Sequence, residues 1–329
     1  MTIFKKPNAR RRSLITAGAV SLFLSVFAHG KGRWPVQPIK IVVPFAPGGS
    51  NDIIARLLAT KMGLRMGHPI LVENRGGAGG AIGTEYVTKA APDGYTLLFA
   101  STSITTNSVS KTLRYDLVKD LEPIGTIASS PFAVVVSNTL PVSTLAEFIA
   151  LAHSKPGSIN YGSAGVSGIS HLGTELFAHA AGIKLTHIPY KGMSPAFTDL
   201  MGSELQMLLP TVASSVQQIQ GGRVRGLAVT AVKRSPLLPN LPTVSEAGLP
   251  GFELDAWFGL FGPAGMPYSV VKRLNEELNA VLEMDDVKKL LAVEGATATP
   301  DTPQALGELV RSELERWRRL IKEANIDLQ

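Results

Sequence analysis

Apolar positions along the chain fall into short runs that break at glycine and proline. Residues 39–46, IKIVVPFA, are apolar on both faces of an extended chain and predict a buried strand of the parallel type. The period then changes. Ile53, Ile54, Leu57, Leu58 and Met62 share one side of a helix over 52–62, with Gly63 placed to end it. PILVENR predicts a second strand, and GGAGGAIG (76–83) a second glycine turn before a helix reaching about residue 91. DGYTLLFAS follows an Asp-Gly turn and predicts a third strand at 93–101. Strand, helix, strand, helix, strand implies right-handed crossovers and a parallel sheet.

The pattern resumes with different spacing. FAVVVS (132–137) predicts a strand, and 144–152 a helix in which Thr144 and Glu147 fit a capping box. INYGSAGVSGISHLGTELFAHAAG reads as a strand end, a small-residue turn and a helix closed by Gly182. LTHIPY is a strand, 195–201 a short helix, and LQMLLP and GLAVTA two further strands. After a proline-rich passage, helices are predicted at 268–283 and 303–324. The last carries an apolar stripe of Leu306, Leu309, Val310, Leu314, Trp317 and Ile321. Two α/β lobes result: 29–131 completed by 249–329, with 132–248 inserted between. The insertion requires two crossovers. A span of 329 residues is long enough for two domains.

The N-terminus is a different kind of sequence. Lys5, Lys6, Arg10, Arg11 and Arg12 precede an apolar run from Leu14 to Ala28, and Val26 and Ala28 are small enough for a cleavage site. Residues 1–28 are therefore expected to be a secretory signal peptide, too short in their apolar run for a membrane span of about 20 residues. Without those five cations, 27 basic residues stand against 26 acidic ones. The remaining chain is near neutral, which argues against nucleic-acid binding. There is no cysteine, so no disulfide framework and no lipoprotein anchor is expected. A soluble periplasmic monomer is the expectation.

Three stretches share one logic: strand end, small-residue turn, helix start. PGGSNDIIAR presents backbone N–H groups at a positive helix terminus, which suits a carboxylate or a phosphate. Asp52 in the first helical turn also suits the helix dipole alone. GGAGGAIG has the spacing G-x-G-G-x-x-G, which is neither a dinucleotide fingerprint nor a P-loop. YGSAGVSGISHLG tempts toward a serine hydrolase, but the G-x-S-x-G elbow fails at both Ser163 and Ser167. These serines fit better as donors or caps, and His171 as a packing or hydrogen-bonding residue. His171, His179 and His187 do not have metal-ligand spacing, so no metal and no cofactor is expected. Ligands of open α/β sheets sit outside the carboxyl ends of the strands. That places a cleft between two lobes.

The motifs WPVQPIKIVVPFAPGGSNDIIARLLA, VENRGGAGGAIGTEYVTKAAPDGYTLLFAS, INYGSAGVSGISHLGTELF, HIPYKG, LPNLPTVSEAGLPGFE and WFGLFGPAGMP, in this order over nearly the whole chain, resemble the Bug family. These are extracytoplasmic solute receptors of tripartite tricarboxylate transporters. The resemblance implies a type II periplasmic-binding-protein fold and an interlobe cleft that closes on a small carboxylate: a dicarboxylate, an aromatic acid or an amino acid. Carried over by motif, the first-lobe contacts would be Phe45, Ala46, Gly48, Gly49, Asp52, Ala78, Gly79, Ser101 and Ser103. The second-lobe contacts would be Ser163, Ala164, Gly165, Ser167 and His171, with Tyr190 and Asp199 as further additions. The implied partner is a membrane permease of that transporter class. A sensor protein that docks the same receptor, or an exported α/β enzyme, are the alternatives.

Overall fold

A computed structural model describes residues 1–3, 34–110 and 113–326 of the chain. The expected signal peptide therefore lies almost wholly outside the described residues. The described residues from Gln37 onward form one compact body. It is built from two sheets.

The first begins as the apolar pattern predicts, with β1 (Ile39–Val43), α1 (Ser50–Met66), β2 (Ile70–Asn74), a 3-10 turn (Ala78–Gly80), α2 (Ala81–Thr88) and β3 (Thr96–Ser101). β1 pairs in parallel with both β2 and β3. Ile39, Ile41, Val42 and Val43 are fully buried, which explains the unbroken apolar run. α1 runs one turn past Gly63 and ends at Gly67, whose φ of 71° supplies the left-handed cap. Gly63 serves packing instead: a Cβ there would stand 3.1 Å from the His68 carbonyl oxygen as the chain turns back into β2.

The chain continues through α3 (Ser103–Ser110) and β4 (Leu121–Pro131) and crosses into β5 (Ala133–Val136). The second sheet follows with α4 (Leu145–Ser154), β6 (Asn160–Ser163), α5 (Ile169–Ala181), β7 (Thr186–Pro189), α6 (Met193–Met201), β8 (Met207–Leu208), α7 (Val212–Gln220) and β9 (Arg225–Val229). Thr144 caps α4 by accepting from the Glu147 N–H, while the Glu147 carboxylate reaches back to the Ser143 N–H rather than to Thr144. The chain then returns to the first sheet with β10 (Asp255–Pro263), α8 (Tyr268–Leu282), α9 (Asp285–Val293), β11 (Thr297–Ala298) and α10 (Pro303–Glu323).

Among the described residues the strand orders are β11-β4-β10-β3-β1-β2 and β7-β6-β8-β5-β9. The three strands expected to be parallel are so, and both sheets as a whole are mixed. The reason is the crossovers. β10 and β5 each enter from the other sheet and run antiparallel to the strands on either side. In each sheet the visiting strand lies beside the third parallel strand, with β4 on its other side in the first sheet and β9 in the second, so the two lobes repeat one plan.

A single hydroxyl ties the two crossovers. Thr230, fully buried, accepts from the Phe132 N–H at 2.8 Å and donates to the Leu254 carbonyl. Its own backbone donates to the Phe132 carbonyl and accepts from the Leu254 N–H. α10 bridges the lobes as well. Leu306, Val310 and Leu314 join the core of the first sheet, while Trp317 and Leu320 are buried in the core of the second.

Candidate functional site

β1, β2 and β3 are parallel, so the turns at 44–49, 75–80 and 101–103 emerge on one edge of the first sheet. They also touch one another. Asn74 Nδ2 donates to the Phe45 carbonyl, a Cβ on Gly76 would lie 3.4 Å from the Ala46 nitrogen, and Asn107 of α3 donates to the Gly79 carbonyl. β6, β7 and β8 are parallel in the second sheet and put the turns after Ser163 and Pro189 on one edge, joined by a 3.0 Å bond from the Tyr190 N–H to the Ser163 carbonyl. α3 packs against both the Ala78–Gly80 turn and α5. The two functional edges therefore meet through α3.

In the first lobe, Asp52 is buried and engaged internally. Its carboxylate accepts from the Gly48 N–H, Arg56 Nε and Asn74 Nδ2, each at 3.0 Å. The Arg56 hydrogen bond, with Gly48 and Asn74 adding to it against the cost of burial, lowers its pKa to about 2. Asp52 is thus a permanent anion that fixes the Gly48 turn. The following amides of Gly49, Ser50 and Asn51 carry no partner among the described residues, and all three residues are exposed or half-buried. Phe45 and Ala46 lie at the rim of this turn. Ala78 and Gly79 both have left-handed backbones, with φ of 50° and 69°. A Cβ on Gly79 would stand 2.8 Å from Asn107 Nδ2, so the position requires glycine for conformation and for space. Ser101 and Ser103 bond to each other through their hydroxyls at 3.0 Å at the start of α3.

In the second lobe the hydroxyls face inward. Ser163 Oγ lies 2.6 Å from His187 Nε2 and also bonds the Gly165 backbone. The Ala164 N–H donates to Ser170 Oγ. Ser167 has φ of 64°, and its N–H donates to His171 Nδ1 at 3.1 Å. That bond makes Nδ1 the acceptor and leaves the ring proton on Nε2. His171 stacks on His187 with centroids 3.9 Å apart and an 8° tilt, and the Tyr161 ring lies 4.9 Å from His187 and 6.4 Å from His171. Burial, and for His171 the adjacent His187, lowers both imidazoles to about 4. The stack is neutral near pH 7. Tyr161 donates to Glu175, whose own pKa burial raises. The amides of Val166, Ile169 and Ser170 have no partner among the described residues. Tyr190 donates to Asp199 at 2.6 Å, and burial together with that carboxylate pushes the phenol up to about 12.

The structure thus brings the named turns onto two meeting edges and adds residues that motif reading left out of the site. Asn74, Asn107, Tyr161, Ser170 and His187 orient the turns without belonging to them. His187 stands within the HIPYKG motif beside Tyr190, a candidate for the same cleft or for hinge packing, and its ring partner His171 lies in another motif. The two asparagines had no signal, because an Asn on a strand or helix looks like any polar position. Among the described residues, no group of three or more His, Cys, Asp or Glu side chains could hold a metal.

Two mixed sheets of one plan joined by two crossovers, with a helix N-terminus carrying open amides on the turn edge of each, make the fold of the two-crossover solute-binding proteins. The tripartite tricarboxylate transporter family receptor matches residues 54–326, and the chain belongs to that family. It is 34% identical over 299 residues to BugT of Bordetella pertussis, covering 90% of this chain and 92% of that protein. Two solved structures from Rhodopseudomonas palustris are similar throughout. One, in complex with adipate, is 35% identical with a TM-score of 0.76, covering 89% of this chain and 99% of the other. The second, MatC with bound malate, is 32% identical with a TM-score of 0.72, covering 88% and 100%.

Proposed function

We propose that this receptor captures a small dicarboxylate between its lobes, gripping it with main-chain amides, and presents the closed form to a permease of the tripartite tricarboxylate class. The observation that carries this reading is a helix start with open amides on the turn edge of each sheet. Gly49, Ser50 and Asn51 at α1 and Val166, Ile169 and Ser170 at α5 offer N–H groups without partners among the described residues. Helix N-termini favour anions by about 0.3–1 kcal/mol each when exposed and more when partly buried. Adipate and malate on the two relatives support the ligand class. The internal bonds of Asp52, Ser163, Ser167 and His171 favour a role as supports that aim these amides. Phe45, Ala46, Ala78, Gly79, Ser101, Ser103 and Gly165 then line the wall, with Tyr190 and Asp199 at the margin.

In this reading the chain is exported through residues 1–28 and acts as a monomer without a cofactor and without catalysis. In this reading the lobe boundaries are 131/132, beside the crossover from β4 to β5, and 248/249, upstream of the crossover into β10 at Asp255. The test is a thermal-shift panel on the chain from residue 29, against mono-, di- and tricarboxylates, aromatic acids, amino acids and nucleotides. A ligand at about 100 times its Kd adds roughly 2.7 kcal/mol of stability. A dicarboxylate shift supports the reading. A nucleotide shift without any carboxylate shift would overturn it.

A further inference from the structure

A cavity of about 530 Å³ lies where β10 leaves the crossover, away from the turns of the cleft. Its wall includes Thr126 and Ser129 of β4, Asp255 and Trp257 of β10, and Arg316 and Arg319 of α10. That volume is within the roughly 300–1,000 Å³ range of small-molecule sites.

Two buried polar atoms on this wall have no hydrogen-bond partner among the described residues: Asp255 Oδ1 and Arg316 Nε. Glu313, Asp301 and the other nitrogens of Arg316 are already engaged. Arg316 gives its other nitrogens to the Glu313 carboxylate at 3.1 Å and the Glu253 carbonyl at 3.4 Å. Glu313 also accepts from Thr105 and Trp257. The Asp301 carboxylate accepts from the Thr126 N–H and hydroxyl at 2.7 and 2.6 Å. Asp255 is therefore left with an unused acceptor, and burial, reinforced by Glu253 and opposed by Arg316, raises its pKa to about 6. A carboxylate so placed gains most from a cation set against it. A buried donor or acceptor left unmade carries a penalty that a complementary ligand removes.

We propose that this cavity is a second binding site, for an amino-acid-sized zwitterion that sets its ammonium on Asp255 and its carboxylate on Arg316 with Arg319 beside it. The site is independent of the cleft reading, since it shares none of the cleft turns.

The test is calorimetric titration of the chain from residue 29 with 4-aminobutyrate, in the presence and absence of saturating adipate. Butyrate, which lacks the ammonium, and butylamine, which lacks the carboxylate, are the controls. The expected result is one 4-aminobutyrate bound whether or not adipate is present, with both controls at least about tenfold weaker, the loss that follows removal of a charge-assisted hydrogen bond. Asp255→Asn should weaken 4-aminobutyrate by at least the same factor and leave adipate binding unchanged. Ser312→Trp, which leaves Asp255 intact and fills the cavity wall from an exposed position, should do the same. Displacement of 4-aminobutyrate by adipate would place it in the cleft and overturn the proposal. Wild-type affinity in both variants would also overturn it, as would no binding at ~10 mM, where even a Kd of about 1 mM is saturated. If adipate itself fails to bind, the two variants still decide the matter.

Discussion

Replacing Asp52 by Asn keeps the side chain's shape and removes its charge. The carboxylate accepts three hydrogen bonds, from Gly48, Arg56 and Asn74. An amide must turn its NH2 toward at least one of these donors. The magnitude follows from linkage. The pKa falls from 3.8 to about 2, and each unit is about 1.4 kcal/mol. The Arg56 side chain is 52% exposed, so solvent screening trims its share. A loss of about 2 kcal/mol at pH 7 is expected. Because the folded pKa is depressed, this stabilisation is present above about pH 4 and is lost as pH falls through about 2. Urea denaturation of both proteins from pH 7 to pH 3 measures it. The gap should hold above about pH 5 and shrink to about half by pH 3. A gap under about 0.5 kcal/mol at pH 7, or one that ignores pH, would refute the assignment of Asp52 as the anion that fixes the glycine turn.

Other perturbations follow from the same contacts. Thr230→Val leaves the Phe132 N–H and the Leu254 carbonyl short of a buried partner and should cost about 1–3 kcal/mol in urea denaturation. Gly79→Ala meets Asn107 at 2.8 Å on a left-handed backbone and should lower both stability, by about 1–3 kcal/mol, and ligand affinity. The two buried imidazoles have folded pKa values lowered to about 4, so the unfolded chain takes up protons first. Stability should therefore fall as pH drops from about 6.5 to about 4, and His187→Phe should flatten that slope. Trp317→Ala empties a fully buried position where α10 enters the second lobe and should cost about 3–5 kcal/mol by thermal or urea unfolding.

Most elements with a clean period were legible from the residues. β1, β3, α5, α8 and α10 appear where apolar runs or stripes place them. β4 was not, because LEPIGTIASSP mixes prolines, a glycine and hydroxyls. Its identity comes from its neighbours: Gly125 admits Asn275 of α8, where a Cβ would stand 2.8 Å from Nδ2. β10 was hidden for a related reason, since it borrows its partners from strands more than a hundred residues away. The stripe on α10 was right in period, but Leu320, which is buried, replaces the half-buried Ile321 at its end. The glycine turns were visible as places of bare backbone. Which of their amides stay open was not, because that depends on Asp52, Ser170 and His171 reaching back to fill the others. The stack of Tyr161, His187 and His171 joins two strands and a helix and has no local signature.

The central claim is that backbone amides at a helix start on each lobe hold a carboxylate between the lobes. A crystal structure of the chain from residue 29 with adipate or malate tests it most directly. Carboxylate oxygens are expected within hydrogen-bond distance of the amides of Gly49, Ser50 or Asn51 on one lobe and of Val166, Ile169 or Ser170 on the other. A ligand seated elsewhere, or held by side-chain cations while these amides remain unused, would contradict it.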